Sequence, residues 1–116
     1  MTTTTQNNPL ATWEAMGLDA FVAASSQPVI VDFWAPWCGP CKAMNPAIEA
    51  FAAENENAVR VAKVNVDDHP ELAAQYQVRS VPTLLFFKDG EVVGRSSGAM
   101  SKSQLEAAAR QHGLIG

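Results

Sequence analysis

Residues 29–42 read Val29-Ile30-Val31-Asp32-Phe33-Trp34-Ala35-Pro36-Trp37-Cys38-Gly39-Pro40-Cys41-Lys42. The first six residues are apolar apart from one carboxylate, which is typical of a strand buried on both faces of a parallel sheet. The only two cysteines of the chain follow directly, and a helical pattern begins after them. A strand that delivers a thiol pair to a helix N-terminus is the arrangement that lowers the pKa of a thiol.

The two thiols have unequal positions in this pattern. Cys38 comes first, at the predicted helix N-terminus, where free N–H groups and the helix dipole stabilise a thiolate, so we expect it to be exposed and nucleophilic. Cys41 lies one turn further in and is expected to be the less exposed, resolving thiol. The alternative is a metal-ligand pair, but zinc or an iron–sulfur cluster needs further ligands, and His69 and His112 are not at ligand spacing. We therefore predict no metal.

Asp32 is the most informative residue outside the cysteine motif. Its neighbours are large and apolar, so it is expected to be buried, with a raised pKa, and to act as a proton shuttle for Cys41. The alternative is a structural carboxylate paired with Lys63, which lies in the middle of the next apolar run. Lys63 is accordingly predicted to belong to the same site.

The segment from Trp34 to Lys42 resembles the active-site segment of the thioredoxin family, and Val81-Pro82-Thr83 resembles the second signature of that family. Asp32, Lys63 and the Lys88-Asp89-Gly90 turn fall at matching places, and the resemblance covers residues 18–113. It implies an α/β, thioredoxin-like fold with a mixed central sheet and helices on both faces. It also implies a general protein-disulfide reductase that works through a redox-active Cys38–Cys41 disulfide and binds no other cofactor.

Several residues around the thiols are predicted to touch substrate. Trp37 is expected to be exposed as a flat docking surface, and Gly98 marks either a turn or a close approach of substrate. The resemblance implies a cis Val81–Pro82 bond that leaves the Val81 backbone free to pair with an extended peptide. The predicted substrate-binding set is Trp37, Gly39, Pro40, Val81, Pro82 and Gly98, with Trp34 and Pro46 as structural support.

The remaining pattern predicts the order of elements. Residues 10–25 leave two interpretations open, a short strand over 10–13 or helical spacing from Leu18 onward. Downstream, the sequence predicts strands over 29–34, 59–66, 83–87 and 91–95 and helices over 39–55, 70–76 and 101–111. Pro46 is expected to kink the first long helix, Asp67 or Asp68 to cap the short one, and Gly113 to end the last.

Length and composition are those of one soluble globular domain. The chain has 116 residues, 47% hydrophobic content and a net charge of −4, without a Lys/Arg cluster, which argues against a nucleic-acid partner. Residues 1–9 are predicted to be a flexible polar tail and residues 10–116 a thioredoxin-like domain. The N-terminus has neither a signal-peptide pattern nor a membrane span, so we expect a cytoplasmic protein with no membrane association.

Three functional classes remain open from the sequence. The first is a disulfide reductase acting on protein disulfides, recharged by an NADPH-dependent thioredoxin reductase and acting as a monomer, as the resemblance implies. The second is an oxidant or isomerase on the same fold. The Gly39-Pro40 dipeptide argues against this class. The third is a binding module with inactive thiols. A redox potential separates the first two classes, and an insulin-reduction assay separates the first from the third.

Overall fold

The computed structural model describes residues 9–116, so the tail predicted over residues 1–9 lies outside them except for Pro9. The helices and strands follow in the order α1 (Leu18–Ala24), β1 (Val29–Trp34), α2 (Gly39–Glu54), β2 (Arg60–Asn65), α3 (Pro70–Gln75), β3 (Thr83–Lys88), β4 (Glu91–Ser97) and α4 (Lys102–Gln111). All seven elements predicted from residue 28 onward are confirmed, with ends that differ by at most two residues.

The four strands form one mixed sheet in the order β2-β1-β3-β4. β1 runs parallel to β2 and antiparallel to β3, and β3 pairs antiparallel with β4. The parallel register sets Asp32 opposite Lys63. A central strand flanked on both sides is buried throughout, which explains why β1 reads as a continuous apolar run.

Helices cover both faces of the sheet, as predicted. One face buries α1 and α3 against alternate strand residues, and the other buries α2 and α4 against the remaining ones. The second face is the one that matters for the site, because Ile30 belongs to it and Asp32 follows Ile30 by two residues. Its buried members include Ile30, Met44, Ile48, Phe51, Val61, Leu84, Phe86 and Leu105.

The structure of the segment before α1 decides between the strand and the helix considered for residues 10–25. No strand forms between residues 10 and 17, although the Ala11 N–H donates to the Val61 carbonyl at 2.8 Å. A turn forms there instead, closed by the N–H groups of Met16 and Gly17 on the Trp13 carbonyl. Trp13 is 4% exposed, and its indole N–H donates to the Lys63 carbonyl at 2.8 Å. The anchored tryptophan thus takes the place of a first strand.

Turns and caps explain where the last elements begin and end. Asp89 and Gly90 both have positive φ, 54° and 82°, as a two-residue type I′ hairpin requires. Ser101 caps α4 in a reciprocal capping box with Gln104. Gly113, at φ 78°, ends that helix in a Schellman motif, since its N–H and the next one return to carbonyls of the last turn.

The predicted cap of α3 is wrong. The N-cap position is His69, without a side-chain hydrogen bond, and Pro70 begins the helix as expected. Asp67 lies two residues before the N-cap position, and its carboxylate accepts a hydrogen bond from the Trp37 indole N–H at 3.3 Å. Within residues 9–116, no helix is long and apolar enough to cross a membrane.

Candidate active site at the start of helix α2

Cys38 and Cys41 are joined by a disulfide, with their Cα atoms 5.3 Å apart. Cys38 is the N-cap residue of α2, in extended backbone conformation, and its Sγ accepts a hydrogen bond from the Cys41 N–H at 3.1 Å. This sulfur therefore occupies the place that a Ser or Asp oxygen takes in an ordinary N-cap. Once the disulfide is reduced, the same N–H and the helix dipole stabilise negative charge on Cys38.

The burial of the two cysteines corrects one expectation. Cys38 was expected to be exposed, but its side chain is only 4% exposed in the disulfide state, and Cys41 is completely buried. The reason is a small apolar cluster that includes Ala35 and closes around the sulfurs. Of the two cysteines, Cys38 is still the one that keeps some exposed surface, which is the order predicted.

Asp32 is fully buried, and neither of its carboxylate oxygens has a hydrogen-bond partner among the described residues. Burial raises the pKa of Asp32 to about 6, and the nearby positive charge of Lys63 lowers it only partly. The burial of Asp32 confirms that part of the prediction, and the direction of the pKa shift agrees with it. Desolvation penalises the ionised form of an unpaired carboxyl, which explains the direction of the shift.

Lys63 does not form the direct ion pair that was the structural alternative for Asp32. Its Nζ donates to the Asn45 Oδ1 at 2.6 Å and lies 4.5 Å from the centre of the Trp34 ring. Asn45 was not recognised from the sequence. It lies four residues after Cys41 on α2, so the two share one face of the helix, and this i, i+4 spacing was the available signal.

The burial of the two tryptophans is as predicted. Trp34 is half-buried and packs against the cluster around the sulfurs, which fits structural support. Trp37 has 69% of its surface exposed, directly before Cys38 in the chain. The hydrogen bond to Asp67 limits the directions in which its indole can point. Asp67 was predicted only as a cap, so its contact with the site was missed.

The second signature lies beside the disulfide. The Val81–Pro82 bond is cis, as predicted, and Val81 packs against the same small cluster as the cysteines. A largely apolar depression of about 160 Å³ lies between Trp37, Val66 and Val81. The Val81 backbone forms no hydrogen bond with another described residue, so it is available to an incoming strand.

The prolines and glycines near the site are placed as follows. Gly39 and Pro40 are the first two residues of α2, and both are exposed. Gly98 has φ 94° and donates its N–H to the Pro82 carbonyl at 2.9 Å, so its backbone needs a glycine. Pro46 lies inside α2, which continues through it, and the kink expected there stays a prediction.

Both histidines pack against aromatic rings of the fold. His69 packs edge-on against Trp13, with ring centres 4.8 Å apart, and its Nδ1 lies 3.4 Å from the Glu71 carboxylate. His112 stacks on Phe86 at 5.0 Å. Across residues 9–116, no group of three or more His, Cys, Asp or Glu side chains is arranged to hold a metal ion.

A cysteine pair that opens and closes a disulfide ring at the start of a helix can accept and donate two electrons by exchange with another disulfide. A sulfur that accepts a backbone N–H is suited to attack, and a completely buried sulfur is suited to resolve. Fold and site together define a thiol–disulfide oxidoreductase.

Comparison with known proteins gives the family. The thioredoxin family model matches residues 10–111. The chain is 54% identical over 80 residues to thioredoxin of Porphyra purpurea, covering 69% of this chain and 75% of that protein. It is 47% identical over 91 residues to thioredoxin 1 of Synechococcus elongatus, covering 78% and 85%. It is also 49% identical over 86 residues to a bifunctional thioredoxin reductase/thioredoxin of Mycobacterium leprae, covering 74% of this chain and 19% of that protein.

The chain belongs to the thioredoxin family. It is a protein-disulfide reductase that uses the Cys38–Cys41 pair as its redox-active group. Proteins of this family reduce disulfide substrates and are recharged by a thioredoxin reductase.

Proposed function

We propose that Cys38 is the attacking thiol, Cys41 the resolving thiol, and Asp32 the acceptor of the Cys41 proton. The single observation that carries the assignment is the hydrogen bond from the Cys41 N–H to the Cys38 Sγ, which makes Cys38 the helix N-cap. The complete burial of Cys41 supports the second role, since an enclosed sulfur can reach only its neighbour in the ring.

The reaction has two exchange steps. The Cys38 thiolate attacks one sulfur of a substrate disulfide, an S–S bond forms between Cys38 and that sulfur, and the other substrate sulfur leaves as a thiolate. Cys41 then loses its proton and attacks the Cys38 sulfur, which restores the protein disulfide and expels the second substrate thiolate. The substrate gains two electrons and the dithiol loses two, so no additional redox agent is needed.

Asp32 is suited to accept the Cys41 proton for two reasons. It lies on the sheet face that α2 covers, and α2 carries Cys41. With a pKa of about 6 it is largely ionised near pH 7, so it is a base at that pH, and its proton affinity is closer to that of a thiol than a free carboxylate's is.

Substrate docking is proposed at the depression beside the disulfide. Trp37 would supply its exposed apolar face, and the unpaired backbone of Val81 would pair with an extended peptide carrying the disulfide. Pro82 and Gly98 would hold that backbone in place through their hydrogen bond, and Gly39 and Pro40 would set the ring between the thiols.

The remaining proposals concern the setting of the reaction. We propose an NADPH-dependent thioredoxin reductase as electron donor. The name of the Mycobacterium leprae relative, which joins a thioredoxin reductase to a thioredoxin, supports the reductase, and the resemblance to the family implies NADPH as its source of electrons. A cytoplasmic location suits a reductase, because that compartment keeps thiols reduced. A monomer is proposed because the large exposed apolar side chains of the described surface are few, namely Met16, Trp37, Val92 and Val93.

The proton role is tested by single-turnover reduction of a disulfide substrate, in which the resolution of the mixed disulfide is followed directly. Asp32→Ala is expected to slow resolution about tenfold to a hundredfold at neutral pH while leaving the first attack by Cys38 nearly unchanged. Glu49→Gln, which removes an exposed carboxylate from the same helix, is the matched control. A resolution rate equal to that of the unmodified protein would make Asp32 a purely structural carboxylate.

A further inference from the structure

Asn45 is the side chain that fixes the ammonium group of Lys63. It lies on α2, half-buried, one turn after Cys41 and on the same helix face. Its Oδ1 accepts the Lys63 Nζ at 2.6 Å, and the Trp34 ring supports the same ammonium at 4.5 Å. A cation that touches an amide oxygen and an aromatic face is held on two sides.

A second, more polar environment for the Lys63 ammonium lies beside β2. β2 is an edge strand, and a polar pocket of about 260 Å³ opens beside it. Lys63 itself forms part of the wall, together with Asp68 and His69. The wall is completed by Trp13, Glu14, Trp34 and Asn65. Water and two carboxylates in this pocket would attract the ammonium away from the sheet face that buries Asp32, because long cationic side chains extend toward water when nothing holds them.

We propose that Asn45 is a positioning residue that keeps the Lys63 ammonium over the sheet face of Asp32 and so sets the proton affinity of that carboxyl. The importance of this positioning for catalysis rests on the proton role of Asp32 proposed above. The positioning itself is independent of that role. The Asn45 amide does not ionise, so it acts on Asp32 only through Lys63.

The charged surroundings of Asp32 are simple enough for this effect to be seen. β2 contributes Lys63 as the register partner, and α2, the helix that covers this face, carries Asn45 and the disulfide-bonded Cys41. β3 presents the apolar side chains Leu84 and Phe86 on the same face. Lys63 is the charge that acts on the Asp32 carboxyl, so moving it must change the pH at which Asp32 ionises.

The experiment follows the carboxyl carbon of Asp32 by NMR as a function of pH in the oxidised protein, where neither cysteine titrates. Lys63→Met is expected to raise the ionisation midpoint by about one pH unit, because the positive charge is gone. Asn45→Ala is expected to raise it by about half a unit, because the ammonium then spends time in the pocket. Asn57→Ala, an exposed asparagine outside the site, serves as control.

Two further variants identify the hydrogen bond as the cause. Asn45→Gln retains a carbonyl acceptor and should titrate closer to the unmodified protein than Asn45→Ala does. The double variant Asn45→Ala/Lys63→Met should titrate like Lys63→Met alone, since Asn45 acts only on the lysine.

The proposal is overturned if Asn45→Ala leaves the midpoint in place or lowers it, if the glutamine variant titrates like the alanine variant, or if the two single effects add. These titrations involve no turnover. A failure here therefore leaves the proton role of Asp32 intact, and a normal resolution rate in Asp32→Ala leaves the positioning by Asn45 intact.

Discussion

Asp32 and Lys63 are register partners on the parallel strands β1 and β2. The Asp32 carboxylate nevertheless accepts no hydrogen bond from a described residue, and the Lys63 ammonium donates to Asn45 instead. A buried carboxyl next to a cation that is engaged elsewhere is costly to ionise, because the cation compensates only part of the lost hydration. The protein keeps such a group on the sheet face that α2, the helix with Cys41, covers.

The stability of the protein should depend on pH through Asp32. The unfolded carboxyl ionises near 3.8 and the native one near 6, so the native state binds more protons between these values and stability falls as pH rises through this window. Above it, the ionised carboxyl costs about 3 kcal/mol. Asp32→Ala should therefore stabilise the oxidised protein by about 2 kcal/mol near neutral pH and lose this gain toward about pH 4.

Urea unfolding of the oxidised protein at both pH values measures this difference, with Glu49→Ala as the exposed-carboxylate control. A free-energy difference between Asp32→Ala and the unmodified protein that does not change with pH would contradict the argument from burial.

Alkylation should distinguish the two thiols of the reduced protein. Cys38 is expected to react with iodoacetamide at least about tenfold faster than Cys41 near neutral pH, because its thiolate is stabilised at the helix N-terminus and Cys41 is completely buried. Peptide mass mapping measures both rates. Cys41→Ser should accumulate mixed disulfides with substrate and Cys38→Ser should not; the reverse pattern would exchange the assigned roles.

Removing the exposed indole should weaken docking without weakening the fold. Trp37→Ala is expected to raise KM for a protein disulfide about threefold to tenfold, since an aromatic contact surface is lost. The free energy of unfolding should change by no more than about 0.5 kcal/mol, as is usual for exposed sites. Val92→Ala, an exposed apolar side chain on β4, should leave both quantities unchanged. Equal KM values for the two variants would remove Trp37 from the docking surface.

The cap of α4 should contribute measurably to stability. Ser101→Ala removes the acceptor for the Gln104 N–H and is expected to cost about 1 kcal/mol in urea unfolding. Gln104→Ala removes only the reciprocal half of the capping box and should cost less. Ser97→Ala, at an exposed strand position, is the control, and a cost as large as that of Ser101→Ala would show that capping is not responsible.

Local patterns were sufficient to predict most of the fold. The apolar run of β1, the Asp89-Gly90 turn and the Ser101 cap each express a short-range rule, and each element formed where its rule placed it. The segment before α1 resisted prediction because its structure depends on a long-range contact. Trp13 donates to a carbonyl fifty residues away, and no spacing in the sequence encodes that partner.

The site was predictable to the extent that its parts are adjacent in sequence or share a register. Cys38, Cys41 and Asp32 lie where the sequence indicated, and the unpaired state of Asp32 agrees with its apolar neighbours. The contacts of Asn45 and Asp67 were missed, because a polar residue on a helix or loop has many possible partners. The burial of Cys38 was missed because residues from several segments close around it.

With Cys38 as the attacking thiol proposed above, every electron pair that enters or leaves this protein passes through one sulfur atom. Cys41 is completely buried in the disulfide state, and Cys38 keeps only a small exposed surface. The electron donor and the disulfide to be reduced must therefore use the same entrance and cannot occupy it together. The two exchange reactions therefore alternate. We expect ping-pong kinetics in which an excess of either partner inhibits the binding of the other.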